Sequence, residues 1–193
     1  MVPQSGRRSG GQSHAILRFM DTLSSLHRAA HSSASGIVAL RDSLARWQQN
    51  QSIQQWSPGE LSISQVTEQI RHSEWWISTD GQDVLAAIRL TNTDELIWPD
   101  RNPTAAYIHS LMVDRSLSGQ KFGQSILKWA EDKIHASGRS VARLDCVATN
   151  ENLRNYYEGL GYRECGVIDF GPDSTWHPVL RFEKDITSAQ NVD

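Results

Sequence analysis

Residues 105–124 read AAYIHSLMVDRSLSGQKFGQ, and residues 150–162, a helix and a strand further on, read NENLRNYYEGLGY. The first stretch opens with an apolar run of strand length, Ala105 to Val113. A polar loop containing Gly119 follows. Phe122, Ile126, Trp129 or Ala130, and Ile134 then recur at helical spacing, so Gly123 to Ala136 reads as an amphipathic helix. Lys128, Glu131, Asp132 and His135 fall on its polar face, and Gly138 stands where a helix ends. Ser140 to Ala148 is again strand-like. Strand, helix and strand in that order imply a parallel pair joined by a crossover. A glycine loop feeding a helix start, with its unpaired N–H groups and partial positive charge, is also a candidate diphosphate cradle. Neither the dinucleotide fingerprint nor the Walker pattern is present.

Working outward, Ile37, Leu40, Leu44 and Trp47 predict a helix over Ser35 to Gln48. A polar linker leads to the turn signal Trp56-Ser57-Pro58-Gly59. Ile63, Val66 and Ile70 mark one face of a second helix, with Ser62 and Gln65 spaced as a capping box. Trp75 to Thr79 and Val84 to Leu90 read as strands split by Asp80-Gly81, a hairpin signal. Asn152 to Leu160 reads as a short helix with Leu153, Tyr156, Tyr157 and Leu160 inward. Tyr162 to Phe170 and His177 to Glu183 complete the strands. The expected fold is a mixed α/β (α+β) architecture. Its central mixed, mostly antiparallel sheet has six to seven strands and is flanked by about four helices.

The chain has 193 residues, 38% of them hydrophobic and 21% charged, and a net charge of −3. These figures describe an ordinary globular domain, placed at 21–187, and exclude a disordered chain. Residues 1–20, Ser/Gly-rich and free of acids, read as a disordered extension; a transit peptide or a start at Met20 are the alternatives. Residues 188–193 read as a tail. No apolar run approaches a membrane span, and a slightly acidic balance gives no global attraction to nucleic acid. Cys146 and Cys165, in apolar strand-like context, read as buried reduced thiols, which points to the cytoplasm.

Together the two quoted stretches resemble the GNAT superfamily of acyl-CoA N-acyltransferases. That family's cofactor loop follows a strand ending apolar-x-Val, here Leu111-Met112-Val113. Five residues after the valine it usually carries Arg or Gln, then x-x-Gly-x-Gly/Ala. Its later helix reads Asn-x-x-(Ala/Leu)-x-x-(apolar)-Tyr-Glu-x-x-Gly-(Phe/Tyr), which Asn150, Leu153, Tyr156, Tyr157, Glu158, Gly161 and Tyr162 match in spacing. Two positions depart: Ser118 replaces the Arg or Gln, and Lys121 replaces the middle glycine. Lys121 reads either as a phosphate contact or as a solvated lysine.

The resemblance implies acetyl-CoA as acyl donor, no metal, and a small-molecule or peptide amine as acceptor. It implies a cofactor site at Leu111, Met112, Val113, Ser118, Gly119, Gln120, Lys121, Phe122, Gly123, Gln124, Asn150 and Tyr156. The Val113 N–H would polarise the thioester, and Tyr157 would protonate the departing sulfur. His109 shares strand parity with Leu111 and Val113, so its side chain is expected on their side as general base. Asp94 and Glu95 compete for that role, and Asp145 reads as structural. Trp56, Glu95 and Trp176 are the expected acceptor contacts, with Glu60, Asp173 and His177 nearby in sequence. Dimers are common among such enzymes, so a homodimer is also implied. Three other readings stay open: an acyl-CoA sensor without turnover, a transferase using another acyl donor, and a structural domain whose glycines only make turns.

Overall fold

The computed structural model describes residues 26–186. The expectations for 1–20 and 188–193 therefore lie outside the described residues. In chain order the elements are β1 (His27–Arg28), α1 (Ala34–Asn50), α2 (Ile63–Arg71), β2 (Trp75–Thr79), β3 (Val84–Thr91), β4 (Ala105–Val113), α3 (Phe122–Ala136), β5 (Val141–Val147), α4 (Glu151–Gly159), β6 (Arg163–Ile168) and β7 (Val179–Asp185). The seven strands form one sheet in the order β1-β2-β3-β4-β5-β7-β6. Every pair is antiparallel except β4 with β5, the pair that the strand–helix–strand reading makes parallel. The two-residue β1 is too short for any periodicity to announce it.

Each helix covers the sheet with its apolar stripe. On one face α1 and α2 bury Ile37, Leu40, Leu44, Val66 and Ile70 against Trp75, Ile77, Ala87 and Met112. The Ser62 capping box starts α2 as expected: the Ser62 hydroxyl accepts from the Gln65 N–H, and the Gln65 side chain accepts from the Ser62 N–H. Ile63 is the exception to its predicted face. It lies 52% exposed in the first turn, beyond the sheet's cover. On the other face Ile126, Leu127, Ala130 and Ile134 of α3 and Tyr157 of α4 pack on Ala86, Ile88, Ile108, Leu144, Cys146 and Phe182.

Two sequence expectations need correction here. Glu131, expected in water, is 5% exposed. Its carboxylate accepts from the Tyr162 hydroxyl at 3.0 Å and pairs with Lys184 at 2.9 Å, which ties α3 to the end of α4 and to β7. A buried charge is tolerated because both partners are supplied. Glu131→Ala strands both partners. It is expected to lower stability by about 1–3 kcal/mol, read as a lower urea midpoint with an unchanged slope. Cys165 is the second correction: Cys146 is buried, but Cys165 lies on the edge strand and is only half-buried.

The sheet forks. Parallel pairing of β4 with β5 covers only Ala105–Tyr107 against Val141–Arg143. Arg143 pins the closed end. It pairs with Glu183 and with Asp100 at 2.7 Å each, stacks 4.2 Å from the Trp98 ring, and reaches the Tyr107 hydroxyl at 3.5 Å. Beyond this clamp the strands separate. On β4 the irregularity is explicit: Ser110 adopts φ +49°, and the β3–β4 register shifts between Ala87 and Arg89. One extra residue in a strand reverses which face the following side chains take.

Candidate functional site

The fork opens into a cleft of about 930 Å³. Leu111 and Val113 of β4, Leu144, Asp145 and Val147 of β5, and Leu153, Tyr156 and Tyr157 of α4 line it. The Asp114 N–H bonds to the Leu85 carbonyl of β3 at 2.8 Å. By strand alternation the Val113 N–H therefore points away from β3, into the fork. On the opposite wall the Ala148 N–H bonds Pro178 on the β7 side, so Val147 also presents its N–H to the fork. There it meets the side-chain oxygen of Gln55 at 3.3 Å, which also accepts from Asn150 Nδ2 at 3.3 Å. Gln55, in the α1–α2 loop, is a site residue that no sequence signal reveals.

The loop at the start of α3 explains the Lys121 departure. Lys121 adopts the left-handed conformation, φ +59° and ψ +19°, as the residue that caps the helix. It supplies with a strained lysine the backbone shape that glycine adopts freely. Gly119 has φ +78°, and Gly123 faces Tyr156, whose hydroxyl would lie 3.2 Å from a Cβ there. Lys121 is exposed, and its own side chain makes no capping hydrogen bond.

Of the expected cofactor residues, Leu111, Val113, Gly123 and Tyr156 line the cleft. Met112 points the other way, into the α1–α2 core, and Phe122 is buried as the anchor of the loop. Ser118, Gly119, Gln120, Lys121 and Gln124 belong to the loop and first turn beside the cleft rather than to its wall. Asn150 caps α4 by accepting from the Leu153 N–H at 3.1 Å. Trp56, Trp176, Glu60 and His177 line the outer cleft, whereas Asp173 does not. Glu95 is corrected: it lies away from the cleft in an exposed pair with Arg101 at 2.6 Å, and its neighbours Asp94 and Leu96 take the cleft wall instead.

His109 is also corrected. The extra residue at Ser110 reverses parity, so Leu111 and Val113 join the α3–α4 side while His109 faces the α1–α2 side opposite Arg89. There it meets Asp94 and Asp145, with one ring nitrogen and one oxygen of each carboxyl all within 4.8 Å of one another. Such a trio can embrace one small cation, metal or ammonium. The Thr91 hydroxyl donates to the Thr93 carbonyl at 2.9 Å, so its 3.0 Å contact with His109 Nε2 requires the ring to donate. His109 Nδ1 is then a bare acceptor. Burial, helped by the Arg89 charge, lowers the His109 pKa to about 3, leaving a neutral ring too weakly basic to take a proton near pH 7. Asp145 behaves oppositely. Burial, then the neighbouring Asp94, raises its pKa to about 7. On the α4 side, burial first and then Cys146, Tyr156 and Asp145 push the Tyr157 phenol well above its ordinary range.

The family model described as "Acetyltransferase (GNAT) family" matches residues 41–162, which contain the fork, the loop and α4. The chain belongs to this GNAT family. Its activity class is N-acetyl transfer. It is 30% identical over 168 residues to "Uncharacterized N-acetyltransferase YesJ" of Bacillus subtilis (strain 168), covering 83% of this chain and 89% of that one. The GNAT acetyltransferase structure from Listeria monocytogenes 4b F2365 superposes with a TM-score of 0.68 at 24% identity, over 83% of this chain and 93% of that one. The yncA structure from Salmonella typhimurium, solved with its cofactor acetyl-CoA, gives 0.61 at 12% identity, over 87% and 96%. Among the described residues, no helix is long and apolar enough to cross a membrane.

Proposed function

We propose that the fork between β4 and β5 takes acetyl-CoA from the α3–α4 side and a primary amine from the α1–α2 side, with Asp145 as proton acceptor and Tyr157 as proton donor. The observation that carries this is the placement of the two groups. Both line one cleft, yet Asp145 alternates with Leu144 and Cys146 and so faces away from the helix that carries Tyr157. The fit to the donor rests on two features: the Val113 N–H directed into the fork, and the left-handed turns at Gly119 and Lys121 that lead into the start of α3.

Acetyl-CoA supplies an activated thioester carbonyl. Val113 offers its N–H where negative charge grows on the carbonyl oxygen. Asp145 relieves the bound ammonium of a proton, since only the neutral amine is a nucleophile. Tyr157 holds a proton for the sulfur as the C–S bond breaks and the C–N bond forms. Overall an ammonium and a thioester give an amide, a thiol and one proton released to solvent.

Two measurements test the reading together: thiol release from acetyl-CoA with a panel of primary amines, and the melting temperature with saturating acetyl-CoA. A ligand at about one hundred times its Kd adds about 2.7 kcal/mol of stability. Absence of both effects would reject it.

Lys121 allows a sharper test of the loop. Lys121→Gly relieves the left-handed backbone and is expected to raise stability by up to about 1 kcal/mol, read in urea. If its ammonium contacts a phosphate, Lys121→Gly and Lys121→Ala both weaken acetyl-CoA binding, and more so at low salt. Tighter binding by the glycine variant would sink the contact. The implied homodimer is read by light scattering.

A further inference from the structure

Resting on that reading, we infer that the acceptor is a primary amine with a single positive charge and an apolar or aromatic body, rather than a polyamine or an aminoglycoside. The charges of the outer cleft are mostly used up. Arg41 pairs with Glu60 at 2.8 Å and stacks 4.1 Å above the Trp56 ring, and Arg89 pairs with Glu74 at 2.7 Å. The cleft-lining acids outside any ion pair of the described residues are Asp94, which feels the Arg89 charge from beyond pairing distance, and Asp145, and they stand side by side with His109.

This trio offers acceptors and little else. Asp94 Oδ2 is buried with no hydrogen-bond partner among the described residues. Asp145 is enclosed except toward the cleft and accepts no hydrogen bond from a described residue. The His109 ring keeps one free acceptor, Nδ1, because Nε2 donates to Thr91. An ammonium carries three N–H donors, so one ammonium satisfies one such trio. Two adjacent carboxyls share their charge unwillingly, which further suits a single cation over several.

Away from the trio the wall mixes apolar side chains with uncharged polar ones such as Gln48, Gln49 and Gln54, and its remaining acid, Glu60, is already paired with Arg41. Leu96 and Trp176 are exposed at 59% and 54%, and Trp176 is held edge-on to Phe170 at 5.4 Å. Both line the cleft, as do Trp56 and Ile97. Exposed large apolar side chains rimming a cleft mark a contact surface. A second cationic group of a polyamine would find these side chains, neutral amides and the already paired Arg41, and no spare carboxylate.

The test compares thiol release from acetyl-CoA with 2-phenylethylamine, n-hexylamine, spermidine and kanamycin. The two monoamines are expected to exceed the polycations in kcat/KM by at least about tenfold. Trp176→Ala should raise KM for 2-phenylethylamine with kcat largely kept, and Leu96→Glu should shift preference toward spermidine. Spermidine or kanamycin equalling the monoamines would overturn the inference while leaving acetyl transfer intact. Thiol release with no amine at all, together with no thermal shift from acetyl-CoA, would overturn the proposed function and this inference with it.

Discussion

Asp145→Asn is expected to lower kcat by about 10²–10⁴-fold with acetyl-CoA affinity unchanged. The side chain keeps its shape and loses its ability to take a proton. In the wild type, kcat/KM should climb with pH through an ascending limb centred near 7, where the Asp145 carboxyl ionises. In the variant that limb should vanish. Stability should respond in the opposite sense. The folded-state pKa of Asp145 is raised from 3.8 to about 7, so folding holds this proton more tightly than the unfolded chain does. The contribution is fully present below about pH 4 and is lost as pH rises through about 7. The substituted amide carries no charge to bury. The variant should therefore gain in melting temperature relative to wild type as pH rises across that window, while it loses turnover. Turnover within threefold of wild type, or an ascending limb that survives, would remove Asp145 from the mechanism.

Tyr157→Phe is expected to lower kcat by about 10²-fold or more while the thermal shift from acetyl-CoA persists. The ring packs against Tyr156 at 5.5 Å and Phe182 at 5.5 Å, contacts that phenylalanine keeps. Only the hydroxyl is lost, and it bonds to no described residue, so no hydrogen bond among the described residues goes with it. Its raised pKa keeps it protonated across the working range, which makes it a weak but always loaded acid. A thiol ordinarily titrates near 8.5, so the departing sulfur ends up protonated near neutral pH. The deficit should shrink for acyl donors with a more acidic thiol. A variant as fast as wild type would leave Tyr157 as packing alone.

The strand and helix order was legible in the sequence because each element's apolar spacing agrees with the face it buries. The strand–helix–strand reading around Gly119 makes β4 and β5 parallel, and they are. What escaped was set by tertiary context. Glu131 has the spacing of a solvent-facing residue, but Tyr162 and Lys184 arrive from distant chain positions and enclose it. Glu95 and Asp94 are neighbours on one loop, and only the packing decides that Arg101 takes the first while the cleft takes the second. Lys121 gives no hint in sequence that its backbone is left-handed. Asp145 reads as structural because nothing local signals that its strand has parted from the neighbour it would otherwise pair. Strand alternation puts His109 on the wrong side, since that rule holds only until a strand gains a residue, and Ser110 is a common residue with no bulge signature.

That gain at Ser110 has a consequence for how such a protein diversifies. β4 is one continuous strand, yet in the proposed reading the cleft-facing side chains on either side of the kink serve different molecules. In that reading His109, just before the kink, faces the amine, and Leu111 and Val113, just after it, face the acyl donor. A substitution at His109 then retunes the choice of amine without disturbing the thioester's seat, and one at Leu111 or Val113 does the reverse. On that reading the two specificities are separable by mutation along a single stretch of backbone, so a lineage can exchange one partner molecule while holding the other constant.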